Sequence, residues 1–248
     1  MSLRLAGMSV LVTGSGSGLG KKITTRAASA GAFVIATDID EDGGEEAATA
    51  AENVAEGAGG ATFHPLDVTD AGAFHNLVDT VAEERGLDGI VNNAGIGHPP
   101  NLTEDVPMST LDHILDINVR GVWNGCQAAL PHLKNNADGG SIVNVASLAG
   151  FLGMPQQSAY SLTKGAVLNY TRVVAAEAGR DGVRANAVCP GIVDTPLGSQ
   201  LFSSVDPEDP EAGKEKLAKQ YPMGRLGEPD DVAAPTCFLL SDEASWVS

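Results

Sequence analysis

The chain has 248 residues, 43% hydrophobic and 19% charged, which describes a folded globular protein and excludes a disordered one. Fifteen Lys and Arg against 32 Asp and Glu leave a net charge of −17, which argues against nucleic acid or an anionic membrane as partner, since both need a basic footprint. No apolar run approaches the roughly 20 residues of a membrane span. The opening MSLRLAGMSVLVTG has too short an apolar run for a secretory signal. Cys126, Cys189 and Cys237 are scattered without ligand spacing, and read as reduced thiols of a cytoplasmic protein with no metal site.

Strand-like and helix-like runs then alternate. MSVLVTG is a buried-strand run, LGKKITTRAASAG a helix, AFVIATD a strand and EEAATAAENVAEG a helix. ATFHPLDV and AGAFHNLVDTVAEERG repeat the pair, and DGIVNNAG is a fourth strand. MSTLDHILDINVRGVWNGCQAALPHLK reads as one long helix and GSIVNVAS as a fifth strand. SAYSLTKGAVLNYTRVVAAEAG is another long helix, and RANAVCPG a sixth strand. Apolar strands alternating with amphipathic helices predict a parallel sheet covered on both faces. No linker or repeat divides the chain, so residues 1–248 are expected to form a single doubly wound, Rossmann-like α/β domain. The proline-punctuated stretch 196–222 breaks the rhythm and reads as a substrate-binding loop or lid.

TGSGSGLG follows the first strand and opens the first helix. Gly14 can take the turn, and Ser17, Gly18, Leu19 and Gly20 bring backbone close to a diphosphate at the helix N-terminus, where free N–H groups and the dipole favour anions. Asp38, followed by Ile39, ends the second strand, where an acid can bond the ribose hydroxyls of NAD and repel the extra phosphate of NADP. Lys21 and Lys22 are the nearest cations, and on the helix they need not face the pocket. Asp67, with Val68 beside it, either meets an adenine amino group or caps a helix beginning near Thr69.

Tyr160 and Lys164 stand four apart, hence on one helix face, and a neighbouring cation can bring a phenol's pKa down toward the range of a useful base. Together with Asn92–Gly95 (NNAG, containing Asn93, Ala94 and Gly95), Asn118 in LDINVRG, Ser147 in NVASLAG and the segment CPGIVDTP, these motifs resemble, in order, those of the short-chain dehydrogenase/reductases. The resemblance covers nearly the whole chain. It implies a catalytic set of Asn118, Ser147, Tyr160 and Lys164, with Tyr160 as general acid/base in the interconversion of a secondary alcohol and a ketone. It implies that Ser147 bonds the substrate oxygen, that Lys164 lowers the Tyr160 pKa and holds the nicotinamide ribose, and that Asn118 holds a water linking Lys164 to solvent. Pro190, Gly191, Ile192 and Thr195 would contact the nicotinamide, Ile192 and Thr195 through its carboxamide. The family usually continues beyond the segment matching ASWVS, so its final strand is expected to be missing from this chain.

The substrate pocket should be lined by Leu148, Phe151, Met154, Gln157, Val193 and Leu197, a mostly apolar set that suits an aliphatic, alicyclic or steroid-like alcohol. His98, just past NNAGIG, reads as a solvent-facing loop residue. The alternatives are a β-ketoacyl-carrier-protein reductase, which wants NADPH and a basic docking patch, and a non-catalytic NAD-binding family member. Helices 109–135 and 157–180 carry Val122, Trp123, Ala166, Leu168 and Val173 on more than one face, which predicts burial against a partner subunit in a homotetramer or homodimer. The acidic surface reads either as that of an ordinary soluble enzyme or as adaptation to high salt.

Overall fold

A computed structural model describes residues 4–248, except the side chain at position 200. Its sheet has six parallel strands in the order β3-β2-β1-β4-β5-β6: β1 Ser9–Thr13, β2 Phe33–Asp38, β3 Gly60–Pro65, β4 Gly89–Asn92, β5 Gly140–Val145 and β6 Val183–Val188. The chain builds outward from β1 to β3, then crosses back to lay β4 against the other side of β1. The carboxyl ends of β1 and β4 therefore diverge, and in open α/β sheets that crevice takes the ligand.

Every residue of β1 is buried, and its side chains divide by parity. Val10 and Val12 enter one core with Ile23, Ala27, Val34 and Val143; Leu11 enters the other with Ile35, Phe74 and Ile142. Strand geometry sends successive side chains to opposite faces, so an unbroken apolar run is what a sheet covered on both sides requires. Helices α1 (Gly18–Ser29), α2 (Glu41–Glu52) and α9 (Pro229–Leu240) cover the first face. Helices α3 (Ala71–Glu84), α5 (Gly121–Asn135) and α6 (Ser158–Ala178) cover the second.

The predicted long helix is interrupted. Helix α4 (Met108–Leu115) joins α5 through a π-helical turn, Asp116–Arg120, which carries the fully buried Asn118. Helix α3 is capped by Asp70, whose carboxylate accepts from the Ala73 N–H at 2.9 Å. The capping alternative for Asp67 is thereby corrected: the helix starts two residues later than Thr69, and Asp67 instead accepts from the backbone and hydroxyl of Thr69 at 2.9 and 2.8 Å.

Helices α7 (Pro196–Val205) and α8 (Pro210–Ala218) pack on one another over a small separate cluster of Phe202, Leu217 and Leu226. At the sheet edge, the Ala185 N–H donates to the Ser248 hydroxyl at 3.2 Å, so the last described residues lie beside β6. On the outer helices, Val122 and Leu168 are buried in the core, whereas Trp123 and Val173 are exposed, and Trp123 stacks on Tyr170 at 5.0 Å between ring centroids.

Candidate active site

A cavity of about 630 Å³ opens at the carboxyl end of the sheet. The residues singled out above as cofactor-binding or catalytic all line it, except Gly20 and Asn118, which lie behind the wall. Gly14 has φ +66°, and a Cβ there would sit 2.8 Å from the Ala94 Cα, so the turn out of β1 tolerates no side chain. Gly20 works differently from the expectation. A Cβ on it would fall 1.9 Å from the Gly14 carbonyl oxygen, so it lets α1 pack on the loop and is not a point of ligand approach. The α1 N-cap, Ser17, makes no side-chain capping bond, in contrast to the capped α2, α3, α7 and α8. The first-turn N–H groups of α1 thus face the cavity uncapped, which suits an anionic diphosphate.

Asp38 is held in place at the end of β2. Its carboxylate accepts from the Gly16 N–H at 2.7 Å and the Asp40 N–H at 3.0 Å. The sequence reading passed over Gly16, although it is the second of the four glycines of the loop; a Cβ there would press within 2.9 Å of the Asp38 carboxylate. Lys21 pairs with Glu46 at 3.1 Å and Lys22 with Asp230 at 3.4 Å, both away from the cavity. Among the described residues lining it there is no arginine, and the lysine is Lys164. Asn93 fastens β4 to the glycine loop, donating from its amide to the Thr13 and Gly14 carbonyls at 2.9 and 3.0 Å.

Tyr160 and Ser147 both line the cavity, and the Ser147 hydroxyl oxygen accepts from the Ala149 N–H at 3.1 Å. The Lys164 ammonium, 3% exposed, donates to the Val145 carbonyl at 2.8 Å and lies 5.7 Å from the centre of the Tyr160 ring. Burial lowers its pKa from 10.5 to about 8, with Cys189 opposing. Burial also pushes the Tyr160 phenol up, and the neighbouring Ser147 hydroxyl pulls it part of the way down. The expected lowering of the phenol by Lys164 is therefore corrected: the ammonium is spent on Val145, and desolvation dominates. The Asn118 amide accepts from the Ile96 N–H at 2.8 Å and donates to the Ile96 carbonyl at 2.9 Å and the Thr163 hydroxyl at 3.1 Å. Both of its N–H donors and one lone pair of its oxygen are engaged within the protein.

Ile192 and Thr195 line the cavity, but the groups expected to meet a carboxamide are engaged. The Ile192 N–H donates to the Tyr221 hydroxyl at 2.7 Å, and the Thr195 hydroxyl caps α7 through the Gly198 N–H at 3.1 Å. Tyr221, also in the wall, lies too far along the chain from Ile192 for any spacing to have found it. Leu148, Met154, Gln157, Val193 and Leu197 line the cavity as expected. Phe151 does not: it follows the 3₁₀ turn Leu148–Gly150, is 59% exposed, and borders a separate groove with Arg172 and Cys189. His98 is corrected in the opposite sense, being 5% exposed and in the cavity wall.

Residues 14–248 match the family described as Enoyl-(Acyl carrier protein) reductase. Levodione reductase of Leifsonia aquatica is 37% identical over 240 residues, covering 96% of this chain and 89% of that protein. A solved structure of levodione reductase superposes with a TM-score of 0.94 at 36% identity, covering 99% of this chain and 95% of that one. 2-(S)-hydroxypropyl-CoM dehydrogenase 3 of Xanthobacter autotrophicus is 38% identical over 252 residues, with 100% and 95% coverage. The structure of 3-ketoacyl-(acyl-carrier-protein) reductase from Brucella melitensis complexed with NADH aligns with a TM-score of 0.87 at 33% identity, covering 98% and 95%. Identity sustained over essentially the full length of these reductases and dehydrogenases, on one sheet topology, shows that the chain belongs to the short-chain dehydrogenase/reductases and is an oxidoreductase of CH–OH groups with a nicotinamide cofactor.

Proposed function

We propose that the protein is an NAD-preferring dehydrogenase that interconverts a secondary alcohol and its ketone, with Tyr160 as the proton-transferring residue. The observation that carries this reading is the meeting, in one cavity, of the Tyr160–Ser147 pair with the uncapped α1 N-terminus and the fixed Asp38 carboxylate. The diphosphate of the cofactor would lie against Ser17, Gly18 and Leu19, and its adenosine ribose against Asp38. A carboxylate already fixed by two N–H donors suits a neutral hydroxyl and opposes a phosphate, and neither Lys21 nor Lys22 is free to offset it.

When bound, the nicotinamide supplies or accepts the hydride at the reacting carbon. Tyr160 gives its phenolic proton to the carbonyl oxygen during reduction and takes it back during oxidation. Ser147, which lines the cavity with Tyr160, orients that oxygen. Lys164 lies 5.7 Å from the centre of the Tyr160 ring, with its ammonium bonded to the Val145 carbonyl. A pKa near 8 keeps much of it charged at neutral pH while leaving it able to exchange protons. The engagement of both Asn118 N–H donors favours a positioning role: the amide fixes the stretch at Ile96 beside Gly95, whose absent Cβ would come within 3.2 Å of Asn118 Oδ1 and 3.3 Å of Lys164 Nζ. Stretch 196–222 covers the substrate side through Leu197, Leu201 and Tyr221.

Tyr160→Phe tests the assignment, because it removes the proton and keeps the ring. Turnover should fall by about 10²–10⁴-fold while NADH binding, read by fluorescence, persists. Retention of most of the activity would refute the role of Tyr160.

A further inference from the structure

The stretch 196–222 packs as a unit of its own, and one hydrogen bond ties its far end to the cavity wall. Phe202, Leu217 and Leu226 form a cluster apart from the two sheet cores, with Leu201, Ala218, Tyr221 and Ile192 against it. Small, separately packed units of this kind open locally at low cost. The base of the excursion is fixed. There the Gly227 N–H donates to the Ile192 carbonyl at 3.0 Å, and the Asp194 N–H to the Gly227 carbonyl at 2.9 Å. Above the base, Lys214 on α8 pairs with Asp194, but both side chains are partly exposed, and such pairs contribute little. Tyr221, just past α8, makes the more specific contact: the Ile192 N–H donates to its hydroxyl at 2.7 Å.

That bond lies in the wall shared with the catalytic groups, since Ile192 and Tyr221 line the same cavity as Tyr160 and Ser147. Gly191 gives the phenol its room, because a Cβ there would sit 2.7 Å from the Tyr221 hydroxyl. The polar group of a nicotinamide is its carboxamide, whose carbonyl needs a donor. A backbone N–H offers a single hydrogen, and here that of Ile192 is engaged by Tyr221. A carboxamide that bonds Ile192 therefore competes with the phenol for one N–H.

We propose that Tyr221 is the latch of a lid and that the nicotinamide releases it. The carboxamide oxygen takes the Ile192 N–H, the Tyr221 hydroxyl leaves it, and α7 and α8 are freed to open on the Gly227 base. The inference rests on the dehydrogenase reading and adds to it a coupling between one end of the cofactor and the lid. The latch lowers cofactor affinity, because only the unlatched fraction of the protein offers the N–H. The adenosine end, held at Asp38 and the glycine loop, does not sense it.

Calorimetric titration of NADH, and of ADP-ribose, which lacks the nicotinamide, into the wild type and Tyr221→Phe reads the latch without turnover; NADPH and 2′-phospho-ADP-ribose form the parallel pair. Loss of the hydroxyl frees the Ile192 N–H, so the dinucleotide should bind about two- to tenfold more tightly, the factor that corresponds to one net hydrogen bond. Affinity for the ADP-ribose partner should not change, which also shows that the variant is folded. In the wild type alone, hydrogen–deuterium exchange of peptides from α8 through Tyr221 should speed up with saturating dinucleotide and not with its ADP-ribose partner. Dinucleotide affinity that is unchanged or weaker in Tyr221→Phe, with ADP-ribose binding intact, would overturn the latch; weaker binding would show that the phenol stays and serves the carboxamide itself. Exchange slowed by the dinucleotide would overturn it as well. Either failure leaves the dehydrogenase reading standing, whereas a wild type that binds neither NADH nor NADPH would remove that reading and this inference together.

Discussion

Replacing Lys164 with methionine removes a cation that the fold holds almost wholly out of water while keeping a chain of similar length. At about 1.4 kcal/mol for each tenfold change in proton affinity, a fall from 10.5 to about 8 sets a cost of about 3 kcal/mol against the buried ammonium. The substitution relieves that cost and loses the charge-assisted bond to Val145, worth about 1.5–3 kcal/mol. Lys164→Met should therefore match the wild type or exceed it by up to about 1.5 kcal/mol at pH 7, while turnover is lost. The pH dependence is diagnostic. Below about pH 8 the lysine is protonated in both folded and unfolded chains, and the stability gap between the two proteins is flat. Above that the unfolded chain keeps a proton that the folded chain has released, so the wild type gains on the variant by about 1.4 kcal/mol per pH unit until the unfolded lysine also titrates. Urea unfolding followed by tryptophan fluorescence at pH 7, 8, 9 and 9.5 measures the gap, at fixed salt and protein concentration because subunit association also shifts the midpoint. A gap that stays constant from pH 7 to 9.5, or a variant less stable than the wild type at pH 7, would refute the buried-charge reasoning.

Asp38→Ser combined with Ile39→Arg should lower the NAD/NADP ratio of kcat/KM by about tenfold or more, since it removes a fixed charge and adds a cation at a position 74% exposed beside the cavity; equal wild-type efficiency with both cofactors would sink the NAD preference. The exposed Trp123, stacked on Tyr170 on the outer face of α5 and α6, is proposed to lie in a subunit interface. Light scattering at moderate salt should give a dimer or tetramer, and Trp123→Asp a smaller species; a monomeric wild type would contradict this. If the acidic surface is adapted to high salt, Tm should rise between 0.1 and 2 M KCl as screening relieves a charge of −17, and a flat or falling Tm would remove that reading.

The architecture was legible because its signal is periodic. Six apolar runs separated by helical patterns leave little freedom beyond a doubly wound sheet, and β1 shows the parity that makes such a run necessary. Cavity residues carried by short local motifs, such as the glycine loop and the Tyr160–Lys164 spacing, were legible for the same local reason. What escaped depends on contacts remote in sequence. DVTDAG contains two aspartates suitable for capping, and only the place where α3 begins selects Asp70. His98 stands in a loop without periodicity, so its burial follows from α6 and the Gln156 turn packing over it. Tyr221 reaches Ile192 across a whole helical excursion. The raised phenol of Tyr160 was misjudged because adjacency on a helix says nothing of where the ammonium points, and here it points to Val145.

The wide turn at Asp116–Arg120 makes α4 and α5 a single rod with a slip in phase. The backbone stays helical on both sides, with φ −62° and ψ −42° at Leu115 and φ −58° and ψ −44° at Gly121, so nothing bends sharply; one added residue is simply absorbed. Each residue of an α-helix turns the azimuth by about 100°. Loss of any single residue between 116 and 120 would let the hydrogen-bond ladder close as ordinary α-helix and would swing α4 through that angle relative to α5. Ile114, now 1% exposed, would rotate out of the core, and Asn118 would release both backbone groups of Ile96. The segment should therefore accept many substitutions on its outer side, as at Arg120, yet tolerate neither a deletion nor an insertion: what is preserved there is a count of residues more than their identity.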